Sequence, residues 1–88
     1  MLKDELLKIQ FICGSRRALQ NIYEQYHRYL LTLAIALLHD VHTAEDVLQD
    51  VFVRFAQSRH TFKSHGSLKS FLATCVINRA RDALRQQY

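Results

Sequence analysis

The sequence predicts an all-α fold, a compact bundle of about four helices. Three observations carry this. The 88 residues contain no Pro and only two Gly, Gly14 and Gly66, so little interrupts a helix. Apolar residues recur at spacings of three and four through most of the chain, without the strict alternation of strands. The 49% hydrophobic and 23% charged fractions are those of a globular chain, which excludes a disordered tail, a collagenous chain or a disulfide scaffold. At this length the ceiling is one domain, read as 1–88.

The elements follow in order. A short leading helix is expected over about 3–12, with Gly14-Ser15 as its break and Ser15 as the next N-cap. A long second helix is expected over about 16–38. Its apolar stripe reads Leu19, Ile22, Tyr26, Leu30, Leu33 and Leu37, flanked by Tyr23 and Tyr29. His39-Asp40-Val41-His42 is read as a connection. Thr43 then caps a third helix over about 43–58, with Glu45 and Asp46 in its first turn, where acid suits the dipole. At 100° per residue, Val47, Leu48, Val51, Phe52 and Phe55 form its core face. Asp46, Gln49 and Asp50 fall opposite. The segment 59–66 has no helical period. Ser67 caps a fourth helix over about 67–87, with Leu68, Phe71, Leu72, Cys75, Val76, Ala80 and Ala83 inward. Ser70, Thr74, Asn78, Arg81 and Arg85 line another side.

Charge divides the chain. Residues 1–50 hold five basic and seven acidic side chains, whereas 51–88 hold seven basic ones against Asp82 alone. A basic second half suits a polyanion, most often nucleic acid, or is simply a solvated face. The longest apolar stretch, Leu30 to Leu38, falls far short of the ~20 residues of a membrane span. The charged start Met1-Leu2-Lys3-Asp4-Glu5 does not resemble an export signal. Cys13 and Cys75 do not have metal-pair spacing and read as reduced thiols. A cytoplasmic, monomeric protein is the expectation.

Enzyme chemistry finds little support. His39 and His42 are three apart at a helix end, a weak metal pattern that solvated histidines explain better. The acids Glu45, Asp46 and Asp50 have a structural reason in the dipole. There is no Gly-rich phosphate loop, and Cys75 falls on an apolar face. No catalytic residue, cofactor or metal is expected.

Two strings are more specific. The first is Ala44-Glu45-Asp46-Val47-Leu48-Gln49-Asp50-Val51-Phe52. The second begins Gly66-Ser67-Leu68-Lys69-Ser70-Phe71-Leu72 and continues through Asn78-Arg79-Ala80-Arg81-Asp82-Ala83-Leu84-Arg85. Together, with the spacing of Leu19, Tyr23, Tyr26, Leu30, Ala34 and Leu38 upstream, they resemble region two of bacterial sigma factors of the extracytoplasmic-function type. The resemblance spans about Leu19 to Arg85. It implies a transcription initiation module that docks on core RNA polymerase and helps melt the minus-ten promoter element.

The resemblance also implies roles. The third helix would meet the clamp helices of the beta-prime subunit through Asp46, Gln49 and Asp50, with Glu45 and Arg54 at the margins. An exposed acid–amide–acid face suits a basic partner helix. The loop would read a base of the melted non-template strand, a task for stacking surfaces, donors and cations. His60, Thr61, Phe62, Lys63 and Ser64 supply those types, although Phe62 is equally suited to anchoring the loop in the core. On the fourth helix Lys69, Arg79, Arg81 and Arg85 are candidate phosphate contacts. Asn78 is a candidate base reader, and Ser70 and Thr74 share its edge. Asp82 is expected to pair with a neighbouring Arg. Phe71 stands where the family usually has Trp, which keeps the ring and loses the indole N–H. The family's usual second helical domain does not appear in these 88 residues, and the chain is read as a domain cut from a longer factor. An anti-sigma factor is a further possible partner. About six phosphate contacts at most would give a log–log salt slope of up to roughly −4 on single strands. The alternative is a helical protein–protein adaptor without a DNA role.

Overall fold

The computed structural model describes residues 2–59 and 66–86, with side chains from residue 5 onward. Four helices follow one another: α1 (Leu2–Ile12), α2 (Arg16–Leu38), α3 (Val41–Gln57) and α4 (Leu68–Gln86). Among the described residues there is no strand. Nor, among these residues, is any helix long and apolar enough to cross a membrane. At 1.5 Å per residue the 23 residues of α2 span about 35 Å, and α2 is the axis on which the other three helices pack.

The breaks between helices have local causes. Gly14 sits at φ +91°, the Ser15 N–H reaches the Gln10 carbonyl at 3.0 Å and the Gly14 N–H reaches Phe11, a glycine-terminated helix end. Ser15 then caps α2 as expected, its hydroxyl accepting from the Ala18 N–H at 3.1 Å. α2 ends at His39, a non-glycine residue held at φ 56°, whose N–H reaches Ile35 at 2.7 Å. Ser67 caps α4 as expected, accepting from the Ser70 N–H at 3.1 Å.

The start of α3 differs from the expectation. The cap is Asp40, not Thr43. Its carboxylate accepts from the His42 N–H at 3.1 Å and from the Thr43 hydroxyl at 2.6 Å. A carboxylate three residues upstream outcompetes the hydroxyl for the orphan N–H groups, and the hydroxyl becomes its donor. The helix therefore starts at Val41, and Glu45 and Asp46 lie beyond its first turn.

The expected core face of α3 is buried in full, with Ala44 added. On α2, Ile22, Tyr26 and Leu30 are buried as expected, but the seam continues through Ala18 and Ala34. Leu19 and Leu33 are half-buried and Leu37 is exposed. A seam spaced by four drifts about 40° per step around a 3.6-residue helix. It wraps α2 because three helices approach it from different sides. On α4, Leu68, Leu72, Val76 and Ala80 are buried, with Phe71, Cys75 and Ala83 packed at the edge of the core.

Aromatic rings tie the elements together. Phe11 of α1 stacks on Phe55 of α3, with centroids 4.3 Å apart and planes 9° apart. Phe55 also meets Phe52 at 6.4 Å and Phe71 of α4 at 6.1 Å. Tyr23 of α2 meets the Phe52 ring edge-on at 4.9 Å. Such pairs add about 0.5–1.5 kcal/mol each beyond the area they bury.

Candidate functional site

The outward side of α3 is built by the same periodicity that builds its core face. Glu45, Asp46, Gln49 and Val53 are exposed, and Val53, an apolar residue half exposed at 50%, sits among them. Because α3 begins at Val41, the macrodipole does not account for Glu45 and Asp46, since its effect fades within the first turn. Among the described residues no hydrogen bond or ion pair engages the Glu45 or Asp46 side chain on that surface.

Asp50 is different. It was expected on that face as part of the acid–amide–acid set. Instead its Oδ2 accepts from Arg79 Nε of α4 at 2.8 Å and from Arg54 Nε at 3.1 Å. Asp50 and Arg79 are both half-buried and Arg54 is mostly exposed. Arg79, a candidate phosphate contact, is thus engaged between the helices. These residues and Phe71, Cys75, Asn78 and Asp82 line a cleft of about 330 Å³ between α3 and α4.

The other edge of α4 is exposed as expected. Ser70, Thr74, Asn78, Arg81 and Arg85 all face solvent. The Ser67 hydroxyl lies 3.0 Å from that of Ser70, and Thr74 donates to the Ser70 carbonyl at 3.0 Å. Asn78 has no hydrogen-bond partner among the described residues. Asp82 pairs with Arg85 at 3.6 Å, the local pairing expected of it. The Lys69 ammonium lies over the Tyr29 ring at 4.5 Å, which holds a cation without neutralising it. Phe71 packs against Phe55 and is only half-buried. His60, Thr61, Phe62, Lys63 and Ser64 lie outside the described residues.

A second concavity, about 770 Å³, opens between α2 and α3. Leu19, Tyr23, Leu31, Leu48, Phe52 and Val53 give it an apolar floor, with His27, Glu45 and Gln49 among the polar residues lining it. The Tyr23 ring lies 4.8 Å from that of His27. No metal-type convergence of three His, Cys, Asp or Glu side chains occurs among the described residues.

Two features were missed in the sequence. One is the Asp50–Arg79 pair, whose members are 29 residues apart and whose only trace is opposite charge. The other is Lys8, buried at 7%, which donates to the Gly66 carbonyl at 2.6 Å and to Glu5 at 3.2 Å. A buried lysine one turn from its acid reads as an ordinary surface pair in sequence.

Comparison with known proteins places this geometry. Residues 22–88 match the family described as Sigma-70 region 2. The ECF RNA polymerase sigma factor SigX of Bacillus subtilis is 34% identical over 68 residues, 77% of this chain and 35% of that protein. The RNA polymerase sigma factor YlaC of the same organism is 30% identical over 77 residues, 83% of this chain and 44% of that protein. The ECF RNA polymerase sigma factor SigM of Mycobacterium tuberculosis (strain ATCC 25618 / H37Rv) is 28% identical over 83 residues, 94% of this chain and 42% of that protein. The chain spans less than half the length of these curated relatives. No solved structure gives a significant match.

Proposed function

Because this chain belongs to the Sigma-70 region 2 family, we propose that it is the part of a transcription initiation factor that docks on core RNA polymerase and engages the minus-ten promoter element. The observation that carries the reading is the pair of solvent-facing edges on adjacent helices. One is acid and amide, on α3. The other is hydroxyl, amide and guanidinium, on α4.

Asp46, Gln49 and Glu45 form the polymerase-facing set, around an exposed Val53 that supplies apolar contact. Such a face fits a basic helix of the beta-prime clamp through charge-assisted hydrogen bonds. Asp50 and Arg54 stand at its margin, shared with Arg79. On α4, Asn78 reads or fixes a base, and Lys69, Arg81 and Arg85 address phosphates, with Ser70 and Thr74 beside them. The segment holding His60, Thr61, Phe62, Lys63 and Ser64 supplies the stacking and donor groups for a melted non-template strand. Phe71 gives an apolar wall where the family usually has Trp. The family is not a class of enzymes, and the reading needs no catalytic residue and no cofactor. A cytoplasmic site of action follows from the partners, and an anti-sigma factor is the expected regulator.

The test is binding to bacterial core RNA polymerase. Asp46→Ala combined with Gln49→Ala leaves the Asp50–Arg79 pair in place. It is expected to weaken binding at least about tenfold, as loss of one or two charge-assisted bonds does, with the helical circular dichroism unchanged. Equal binding by the folded double variant removes the docking assignment. No binding by the parent favours the adaptor reading, for which the groove between α2 and α3 is the natural seat.

A further inference from the structure

Asp50 and Arg79 join the two helices that carry the proposed contact edges. Asp50 directly follows Gln49 on α3 and stands one turn beyond Asp46. Arg79 directly follows Asn78 on α4. The Arg79 Nε donates to Asp50 Oδ2 at 2.8 Å, across 29 residues of sequence, and the exposed Arg54 adds its own Nε to the same oxygen at 3.1 Å. Asp50 and Arg79 are both half-buried. The pair thus stands one residue from each edge.

The two helices do not close on each other along this seam. The cleft of about 330 Å³ opens between them, with Phe55, Phe71 and the ion pair among its lining. Phe55 meets Phe71 with ring centroids 6.1 Å apart. From Phe71, Asn78 lies seven residues along α4, about 10 Å. Apolar packing sets a helix crossing angle only to within about 15–20°. A change of that size about the ring contact would carry Asn78 through about 3 Å, the length of a hydrogen bond. A short charge-assisted bond fixes both distance and direction, and Arg79 places one beside Asn78.

We propose that Asp50 and Arg79 are positioning residues for strand recognition. Their bond sets α4 against α3 and holds Asn78 where a strand comes once polymerase has taken the outward side of α3. Arg79 acts through Asn78 and stays with Asp50 in the complex, instead of passing to a phosphate. This rests on the reading of α3 as the polymerase face and of Asn78 as a base contact.

The experiment uses the parent, Arg79→Ala, Asn78→Ala, the two combined, and Asp50→Asn, each saturated with core RNA polymerase. The probe is the single-stranded DNA that the parent complex enriches from a randomised pool, against the same strand with its order shuffled. Arg79→Ala is expected to cut the affinity ratio between the two strands at least about fivefold. In the Asn78→Ala background the same change should cost less than about twofold, because the group it positions is gone. A side chain that only stabilised the fold would cost the same in both backgrounds, and that result overturns the proposal. Asp50→Asn keeps an oxygen for Arg79 and gives up the charge, and should lower the ratio about threefold. It decides the matter if Arg79→Ala does not fold, and an unchanged ratio there overturns the proposal. If Arg79→Ala weakens both strands alike, Arg79 is a phosphate contact, and the positioning role falls while the strand-binding reading stands. A parent that binds polymerase but enriches no strand overturns both.

Discussion

Asp50 receives two guanidinium groups on one oxygen, and the two are not equivalent. Arg54 is 70% exposed in its side chain and Arg79 27%, so the Arg79 pair is the better shielded from solvent and salt. A double-mutant cycle of Asp50→Ala and Arg79→Ala should return a coupling of about 1 kcal/mol, while the Arg54 cycle returns about 0.3 kcal/mol or less. Urea unfolding of the six proteins that make up the two cycles measures both. The cap residue Asp40 makes a pH prediction. Its carboxyl is held below the ordinary 3.8, chiefly by the Thr43 hydroxyl; desolvation opposes this, and the His42 and Thr43 amides add to the lowering. A depressed folded value means that its contribution is present above the unfolded value and is lost as pH falls through the folded one. Asp40→Asn should therefore lower the thermal midpoint near neutrality, and the difference should fade as pH falls through the depressed folded value. Burial pushes the Cys75 thiol up, whereas Cys13 is exposed. Alkylation followed by mass spectrometry should label Cys13 first. At this scale the sequence was readable where a residue acts on its immediate neighbours, as Ser15 and Ser67 do. It was not readable for Asp40 against Thr43, because two adjacent caps compete and only the chain's path decides between them.

α1 is the element least expected to matter, since it is short and carries Lys8 and Glu5 in a pattern common on surfaces. Its largest buried side chain is one ring. Phe11 is 2% exposed and meets Phe55 face to face. Phe11→Ala should cost about 3–5 kcal/mol, as for other buried aromatic truncations. That is a large share of the 5–15 kcal/mol typical of a domain. Denaturant unfolding gives the number, and faster amide exchange confined to α1 and the end of α3 would show where it falls. The helices themselves were legible from apolar spacing, with α2 placed to the residue. The partners of each helix were less so. Phe11 and Phe55 are 44 positions apart, and nothing local tells one ring which other ring it will meet. The error on α2 has the same origin. A stripe drawn for one partner ran through Leu37, which is exposed, while Ala18 and Ala34 were buried against several.

Across the molecule, charge is less available than its formal count suggests. Of the seven cations in 51–88, Arg54 and Arg79 address Asp50, while Arg85 shares only a long, exposed contact with Asp82. By count about five remain for phosphates, which lowers the expected log–log salt slope for single strands from the −4 of six contacts to about −3.5. Titrating strand affinity of the polymerase-bound domain against potassium chloride checks this, and a slope near −4 would mean that DNA draws Arg79 away from Asp50. The fold class, the two helix edges and the family were all within reach of the sequence, because periodicity and motif are local records. The overlap of the edges at Asp50 was not, since a side chain's allegiance is settled only when α3 and α4 are side by side.

The rings that fasten the helices also make the molecule its own optical reporter. The chain has four Tyr and no Trp, so every indole signal in a mixture belongs to whatever has been added. Tyr23 looks into the groove between α2 and α3 and Tyr29 lies beneath the Lys69 ammonium. Each phenol therefore watches a different surface. With Tyr23 or Tyr29 replaced in turn by Phe, a ligand that covers one and spares the other would announce, through tyrosine emission and without any attached dye, on which side of the bundle it has settled.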